Sequence, residues 1–251
     1  MKDLHSHLLY GIDDGCKTIE ESINLIKKAS EQGITDLMIT PHYMYNTKYV
    51  ANNRTKLELL ENIKKELKEK NININLYLGN EVYITDNIIE LIKKGEIRTL
   101  NNTRYILIEF PLMNMLEGTK EILYELVRNG CIPVLAHPER YRIFKRHPEL
   151  IEEYLREGVL LQCNYKSLYG RYGKDAKKTI KFFLKHHLVT FLGSDNHHEE
   201  NYKLRTLKFK LRRLVKNKQE VEDLLSNNFD KLINDIDLGM TPCNFRSKRI
   251  K

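Results

Sequence analysis

A chain of 251 residues with 41% hydrophobic and 30% charged side chains carries too much apolar material for a disordered polyelectrolyte and too little for a membrane protein. It has no apolar run of ~18 residues able to span a bilayer, and its first residues read as a strand rather than a leader, so a cytoplasmic protein is expected. The net charge of +8 is concentrated: eight basic residues and no acid stand between positions 203 and 218, and Arg246, Lys248, Arg249 and Lys251 follow in the tail, which leaves the remainder slightly acidic.

In chain order, short runs rich in β-branched residues alternate with longer amphipathic stretches. A strand at residues 3–7 precedes a helix at 19–32, a strand at 36–40, a helix at 53–70, a strand at 75–78 and a helix at 86–94. Then come a strand at 105–109, a helix at 118–129, a strand at 132–136, a helix at 148–157, a strand at 159–163, a helix at 174–186 and a strand at 189–192. Seven strands with helical crossovers predict an α/β fold with a parallel sheet, and Gly33, Gly95, Gly130 and Gly158 stand just past helices, where a left-handed residue ends them. No linker, repeat or low-complexity tract interrupts the series, so a single β/α barrel-like domain over residues 1–235 is expected, followed by a basic tail at 236–251. Leu204, Leu207, Leu211, Leu214 and Val215 recur at helical spacing and predict an amphipathic basic helix over 203–218 docked on the barrel, its beginning close to the mouth.

The chemistry lies at the carboxyl ends of the strands, where β/α folds place their sites. The first strand ends His5-Ser6-His7, and alternate residues share a face, so both imidazoles can grip one cation. Thr40-Pro41-His42, Gly79-Asn80-Glu81, Glu109, His137-Pro138-Glu139-Arg140 and Asp195-Asn196-His197 stand at further strand ends, and Asp13-Asp14 lies on the loop after the first. A lone histidine at a strand end is ordinarily a solvated side chain, and His147, His186, His187 and His198 are read that way. Histidines and carboxylates gathered at one mouth are different, because burying them together without a cation is costly. A metal site accounts for them jointly.

The ordered set Asp3-Leu4-His5-Ser6-His7, Asp13-Asp14-Gly15, Thr40-Pro41-His42, Glu81, Leu107-Ile108-Glu109-Phe110, Ala136-His137-Pro138-Glu139-Arg140 and Gly193-Ser194-Asp195 resembles the polymerase and histidinol phosphatase (PHP) superfamily. Within it, the chain is similar to the manganese-dependent protein-tyrosine phosphatases of Gram-positive capsule and exopolysaccharide operons. The resemblance implies a distorted, TIM-barrel-like barrel of seven strands with three divalent ions at its carboxyl face. It implies that His5, His7, Glu81 and Asp195 hold one ion, that Glu81 bridges to a second held with Glu109 and His137, and that Asp14, His42 and His197 hold the third. Carboxylates at Asp14 and Glu109, where many superfamily members have histidine, point to the tyrosine phosphatase branch. Three divalent cations set against four carboxylates and a bridging hydroxide leave a net positive site that attracts a phosphate dianion. Mixed oxygen and nitrogen ligands without thiolate suit manganese, iron or zinc, and it is the resemblance that selects manganese.

The implied reaction is hydrolysis of phosphotyrosine by metal-activated hydroxide, with no covalent phosphoenzyme, and with His137 and Asp195 working as ligands in catalysis. Arg140, beside His137, is placed to clamp phosphate oxygens with its planar fork; the competing reading pairs it with Glu139 on the surface. Asp13 can accept from a ligand imidazole. Related phosphatases carry another phosphate-binding arginine shortly after the last motif; the nearest one here is Arg205, a displaced substitute. The resemblance names as partner a membrane-associated bacterial tyrosine kinase, which would bring the protein to the membrane periphery, with residues 203–218 and the tail offering contact to an anionic surface. Loops at 44–53 and 112–117 should border the mouth.

Other readings compete. Cys243 and Arg249 fit the Cys-x5-Arg spacing of cysteine phosphatases, but that segment is a basic tail without the glycine-rich amide loop such enzymes need. Cys16, Cys131, Cys163 and Cys243 form no CxxC pair, which argues against a disulfide framework and a thiolate zinc site. No GxxxxGK[ST] or GxGxxG occurs, so nucleotide chemistry has no support. A PHP phosphatase for a small metabolite such as histidinol phosphate shares the metal chemistry. A nucleic-acid phosphodiesterase or binding module could use the basic helix, but Phe209 is its lone aromatic, which ranks that reading low. A catalytically silent regulator ranks lowest, since the full ligand set is present.

Overall fold

The computed structural model describes residues 1–113 and 118–239; the tail residues Cys243 to Lys251 and part of the predicted 112–117 loop lie outside them. β1 (Lys2–Asp3), β2 (Asp36–Ile39) and β4 (Asn75–Leu78) form one parallel sheet in the order β1-β2-β4. β3 (His42–Tyr43), β5 (Glu81–Tyr83), β6 (Tyr105–Glu109), β7 (Ile132–Ala136), β8 (Leu160–Asn164) and β9 (Phe191–Gly193) form a second, parallel throughout and in that order. Backbone hydrogen bonds join the first sheet to β9: Leu4 N donates to Leu192 O at 3.3 Å and Asp195 N to His5 O at 2.8 Å. The result is a distorted β/α barrel in one domain.

Seven strands were expected, and nine strand segments are present among the described residues, because the strands expected at 36–40 and 75–78 are each followed, past a break, by a short further strand, β3 and β5. Between β2 and β3 stands Pro41, which has no N–H to give to a ladder. Between β4 and β5 stands Gly79, where a side chain would place its Cβ 2.6 Å from Leu100 Cδ2. The next residue, Asn80, ties the two breaks together, donating from Nδ2 to Pro41 O at 2.9 Å. The first predicted strand is likewise shorter, its residues past Asp3 joined to neighbours by single bonds and the Ser6–Asn196 bridge. Each interruption lies at the carboxyl end, where the chain must turn ligand-type side chains inward.

Strand alternation sorts side chains to two sides. Tyr105 and Leu107 of β6 and Val134 and Ala136 of β7 enter an interior cluster with Leu4, Met38, Leu160 and Phe191. Ile106, Ile108 and Leu135, one residue out of step, face the surrounding helices. These helices are α1 (Ile19–Glu31), α2 (Asn53–Glu69), α3 (Ile88–Lys93), α4 (Thr119–Arg128), α5 (Arg142–Arg146), α6 (Ile151–Arg156) and α7 (Gly173–Lys185). Thr18 and Asn52 cap α1 and α2 by accepting from the backbone N–H of Glu21 and Thr55. The helix predicted over 148–157 begins instead with a 3₁₀ turn at Pro148–Leu150. No helix among the described residues is long and apolar enough to cross a membrane.

The basic segment differs from expectation. Left-handed residues at Lys203 and Lys216 bound it, so the α-helix α8 runs only over Leu207–Val215, after a 3₁₀ turn at Leu204–Thr206. Leu207, Leu211 and Val215 are buried as the spacing predicts. Beyond it α9 (Lys218–Glu222) and α10 (Asn228–Ile233) were not read from the sequence. α10 closes the amino end of the barrel: Phe229 and Leu232 join the interior cluster, and Phe229 meets Tyr77 edge-on at 5.4 Å. We predict that Phe229→Ala lowers unfolding free energy by about 3–5 kcal/mol in chemical denaturation; a loss below about 1 kcal/mol would mean that α10 is an appendage and not a stopper.

A buried amine lies within this framework. Lys56 of α2 is fully buried, and its Nζ donates to Asn80 Oδ1 at 2.6 Å. Burial first, and the charge of Arg98 second, pull its amine down to about 7 from an ordinary 10.5. Between those values the unfolded chain binds the proton and the folded chain does not, so this site's contribution to stability rises with pH across that window, and the desolvation penalty is felt in full below it. Urea unfolding of wild type should therefore gain on that of Lys56→Met between pH 7 and 10.5; parallel pH profiles for the two would contradict a desolvated amine.

Candidate metal centre

The interrupted strands deliver His5, His7, His42, Glu81, Glu109, His137, Asp195 and His197 to one mouth, and Asp14 joins them from the loop after β1. His5 Nε2 and His7 Nε2 stand 3.1 Å apart, and each lies 3.2 Å from Glu81 Oε2. A coordination polyhedron with bonds of about 2.1 Å has edges of roughly 3.0–3.4 Å. This triangle therefore has the dimensions of one face around a cation. Asp195 Oδ1 stands 3.7 Å and 3.5 Å from the same two nitrogens.

The opposite ring nitrogens explain the orientation. His5 Nδ1 faces Gln162 Oε1 at 2.9 Å and His7 Nδ1 faces Asp13 Oδ2 at 2.8 Å. Both acceptors take the ring N–H, which leaves each Nε2 lone pair aimed inward, the tautomer a metal ligand requires. Asp13 is fixed in turn by the backbone N–H of Gly15 at 2.9 Å and of His42 at 3.0 Å.

Two further groups adjoin the triangle. His137 Nε2 is 2.9 Å from Glu81 Oε1 and 3.6 Å from Glu109 Oε1, and His42 Nδ1 is 3.1 Å from Glu81 Oε2. Asp14 Oδ1 lies 3.4 Å from His197 Nε2 and 3.6 Å from His42 Nε2. Ligand-type atoms of His5, His7 and Glu81, of His42, Glu81 and Glu109, and of His7, Asp14, His42 and His197 each converge closely enough to hold an ion. His7 and His42 thus face two groups apiece, where the resemblance assigned each to one, and His42 stands with Glu81 and Glu109 where it placed His137. Glu81 Oε2 and His42 Nδ1 are buried without a hydrogen-bond partner, a costly arrangement that a cation would relieve.

The electrostatics point the same way. Burial alone would raise the Glu81 carboxyl, but His5, His42 and His137 around it hold it well below its ordinary range. Glu109 goes the other way, pushed well above the ordinary range by burial and by the facing charge of Glu81. Burial and the neighbouring Arg140 bring His137 down to about 4, so its ring is neutral. Asp14 is held below the ordinary range chiefly by its contact with His197. The backbone is also unusual here: His137 and Asp195 have φ of 34° and 50°, left-handed values that non-glycine residues adopt where surrounding structure compels them.

Above the centre lies a cavity of about 590 Å³. Met44, Tyr49, Leu112 and Met113 give it an apolar side, so both loops expected at the mouth contribute to it. Arg140, Arg171 and Tyr172 line it as well. Arg140 Nη1 donates to Asp195 Oδ2 at 2.6 Å, and its guanidinium lies 4.6 Å from the centre of the Tyr172 ring. The surface pairing with Glu139 does not occur: Glu139 is buried, accepting from Asn164 N at 2.9 Å and Ser167 Oγ at 2.7 Å. Arg205 does not line this cavity and belongs to a separate depression with Gln32 and Tyr169, because the left-handed turn at Lys203 redirects the chain before it. Among the described residues no cysteine lines the cavity. Burial pushes the Cys16 thiol up to about 12, far from the activated thiolate of a cysteine phosphatase.

Four residues that matter here were not singled out from the sequence. Gln162 orients His5, and Asn164 Nδ2 donates to Asp195 Oδ2 at 2.9 Å. Their signal was available, as two polar residues at alternate positions of the otherwise apolar β8. Arg171 and Tyr172, on the turn after it, carried no local signal, since exposed arginine and tyrosine in a turn are ordinary.

The family model for capsular polysaccharide synthesis, CpsB/CapC, matches residues 1–234 of this chain. CapC from Staphylococcus aureus is 37% identical over 230 residues, 90% of this chain and 89% of its own length. The tyrosine-protein phosphatase YwqE from Bacillus subtilis is 32% identical over 197 residues, 78% of this chain and 77% of its own. One of the crystal structures of YwqE and of CpsB from Streptococcus pneumoniae, metal-dependent tyrosine phosphatases, matches with a TM-score of 0.88 at 28% identity, over 97% of this chain and 98% of that one. The match in sequence spans the strand ends that build the metal centre, and the match in structure spans the barrel that holds them: the chain belongs to the CpsB/CapC family of capsular polysaccharide synthesis.

Proposed function

We propose that this chain is a metal-dependent protein-tyrosine phosphatase that hydrolyses phosphotyrosine without a cysteine nucleophile. The observation that carries the reading is the placement of the histidine and carboxylate cluster at the floor of a cavity with an apolar side and an arginine beside the cluster. A phosphotyrosine has the same three parts, a dianion, a flat aryl ring and a chain leading out. The activity of the YwqE and CpsB relatives supports it.

We assign three divalent ions, manganese by preference, with iron or zinc chemically admissible. His5, His7, Glu81 and Asp195 would hold one, Glu81, Glu109 and His137 a second, and Asp14, His42 and His197 the third. Such ions, when bound, supply water activated near neutral pH and a positive field for the phosphate. The protein's own part is positional. Gln162 and Asp13 fix the imidazoles, Asp195 and Tyr172 hold Arg140 in place, and the second arm of its guanidinium is free to take a phosphate oxygen. Met44, Tyr49 and Met113 offer the tyrosine ring apolar contact that a phosphoserine could not use. Arg171, half exposed at the lip, replaces Arg205 as the second guanidinium able to reach the substrate. Its Nε is held by Glu199 Oε1 at 2.5 Å.

We further propose that the substrate is a membrane-associated bacterial tyrosine kinase of the capsule pathway and that the enzyme works in the cytoplasm, meeting the membrane through this partner. The capsular role of the family supports this.

Chelation should abolish phosphate release from a phosphotyrosine peptide, and manganese should restore it. Glu81→Gln should lower kcat by about 10²–10³-fold while circular dichroism stays unchanged; a variant retaining most of its kcat would remove the carboxylate from the reaction. Arg140→Ala should cost about 10²-fold in kcat/KM, with Arg140→Lys recovering only part because a point charge lacks the fork. Equal activity of all three forms would restrict Arg140 to a structural ion pair.

A further inference from the structure

A second concave feature, of about 400 Å³, lies between α7 and α8, and every charged side chain lining it is a cation. Lys177, Lys181 and Lys185 of α7 supply one wall and Lys210 and Arg213 of α8 the other, with Leu168 and Leu214 between them. The three lysines follow at intervals of four residues, so they share one face of the helix and advance about 6 Å per step. None of these five cations forms an ion pair among the described residues. Neighbouring cations do: Lys178 with Asp175 at 3.7 Å, Lys208 with Glu222 at 2.5 Å, and Lys166 and Arg171 with Glu199 at 2.6 Å and 2.5 Å. Acids are thus available nearby and are drawn to other partners, which leaves a strip of uncompensated positive charge whose self-repulsion a bound polyanion would relieve.

The groove connects to the catalytic mouth through the chain itself. Leu168 lines the groove, Lys210 Nζ lies 4.8 Å above the ring of Tyr169, and Arg171 and Tyr172 line the cavity. One segment of five residues, 168–172, therefore borders both, and its span cannot exceed roughly 17 Å. From its beginning at Gly173, α7 runs away from the mouth, carrying its lysines in a line. A two-walled groove with cations about 6 Å apart suits an extended chain, whose alternate side chains repeat at about 6.6–6.8 Å. It suits a planar lipid surface less well.

We propose that this groove docks an acidic stretch of the phosphoprotein substrate, on one side of the tyrosine held in the cavity; the proposal rests on the phosphotyrosine reading of that cavity. About eight extended residues would reach from the mouth along the three lysines. The groove then selects among phosphotyrosines by what flanks them, at a place separate from the chemistry.

The test uses the full chain loaded with manganese, at low salt, on three substrates: p-nitrophenyl phosphate, a short neutral phosphotyrosine peptide, and that peptide extended by about eight glutamates. The variant is Lys177→Glu/Lys181→Glu/Lys210→Glu. A control of equal charge change is Lys64→Glu/Lys65→Glu/Lys68→Glu on α2. In wild type and control, the extension should raise kcat/KM by at least about tenfold, mostly through KM, and salt should erase the gain. In the groove variant the gain should vanish while p-nitrophenyl phosphate and the short peptide turn over as before. The proposal is overturned if the extension brings no gain in wild type, or if the control loses as much as the groove variant. Fluorescence anisotropy with an unphosphorylated glutamate peptide tests the groove apart from catalysis. Binding abolished by the groove variant supports it even if no phosphoester is turned over, a result that would sink the phosphotyrosine reading instead. Binding of phosphatidylglycerol vesicles but not of the peptide would overturn it in favour of a membrane contact.

Discussion

A single buried carboxylate, that of Glu81, constrains much of this structure. Four imidazoles, those of His5, His7, His42 and His137, stand within about a hydrogen bond's length of its two oxygens, and all but His42 are buried with it. A lone carboxylate is too expensive to bury, and histidines crowding it are each costly to desolvate. The fold offsets part of this cost by fixing His5, His7 and Glu81 from behind. Asp13 and Gln162 take the outward ring N–H groups, Asn80 seals the strand break that turns Glu81 inward, and Lys56 holds Asn80. Even the close packing of Gly193, where a Cβ would lie 2.6 Å from His5 Cβ, keeps β1 and β9 near enough for their ligands to converge. Such a cluster is stable and useful together with cations.

Specificity resides higher up. The cluster by itself would serve any phosphate ester, and the walls of the cavity narrow the choice. Arg140 is held against Asp195 and Tyr172 and so keeps a fixed bearing on the place where a phosphate would sit. The apolar side selects an aryl ring, and the cationic groove between α7 and α8 reaches toward whatever chain carries it. Affinity for the reacting group and recognition of the protein around it are thereby divided between separate surfaces, an arrangement that lets the latter vary without disturbing the former.

Much of this was legible in the sequence because each ligand sits at a strand end with a characteristic neighbour, as in His5-Ser6-His7 and His137-Pro138-Glu139-Arg140. Strand and helix periodicity located the elements, and the clustering of histidines indicated the cation. What escaped reading has physical causes. The short strands β3 and β5 lie past Pro41 and past Gly79-Asn80, residues at which a strand reads as ended in sequence. The left-handed residues at Lys203 and Lys216 and the 3₁₀ turn at Leu204–Thr206 confine the helix to part of the segment whose leucine spacing predicts it. Sharing of His7 and His42 between groups depends on where their rings lie in three dimensions, which no spacing rule encodes. Arg171 reaches the cavity only because the turn after β8 folds back over the mouth, and the lysines of α7 and the cations of α8 are neighbours only in three dimensions.

The central claim is that one cluster holds several cations and that Glu81 is shared between them. Its most direct test is the number of manganese ions retained per chain after equilibrium dialysis, measured by elemental analysis for wild type, Glu81→Gln and Asp14→Asn. Wild type is expected to keep about three, Asp14→Asn to lose about one, and Glu81→Gln, which touches two groups, to lose about two. A wild-type chain that keeps one ion or none, or a Glu81→Gln variant that keeps the wild-type number, would contradict it.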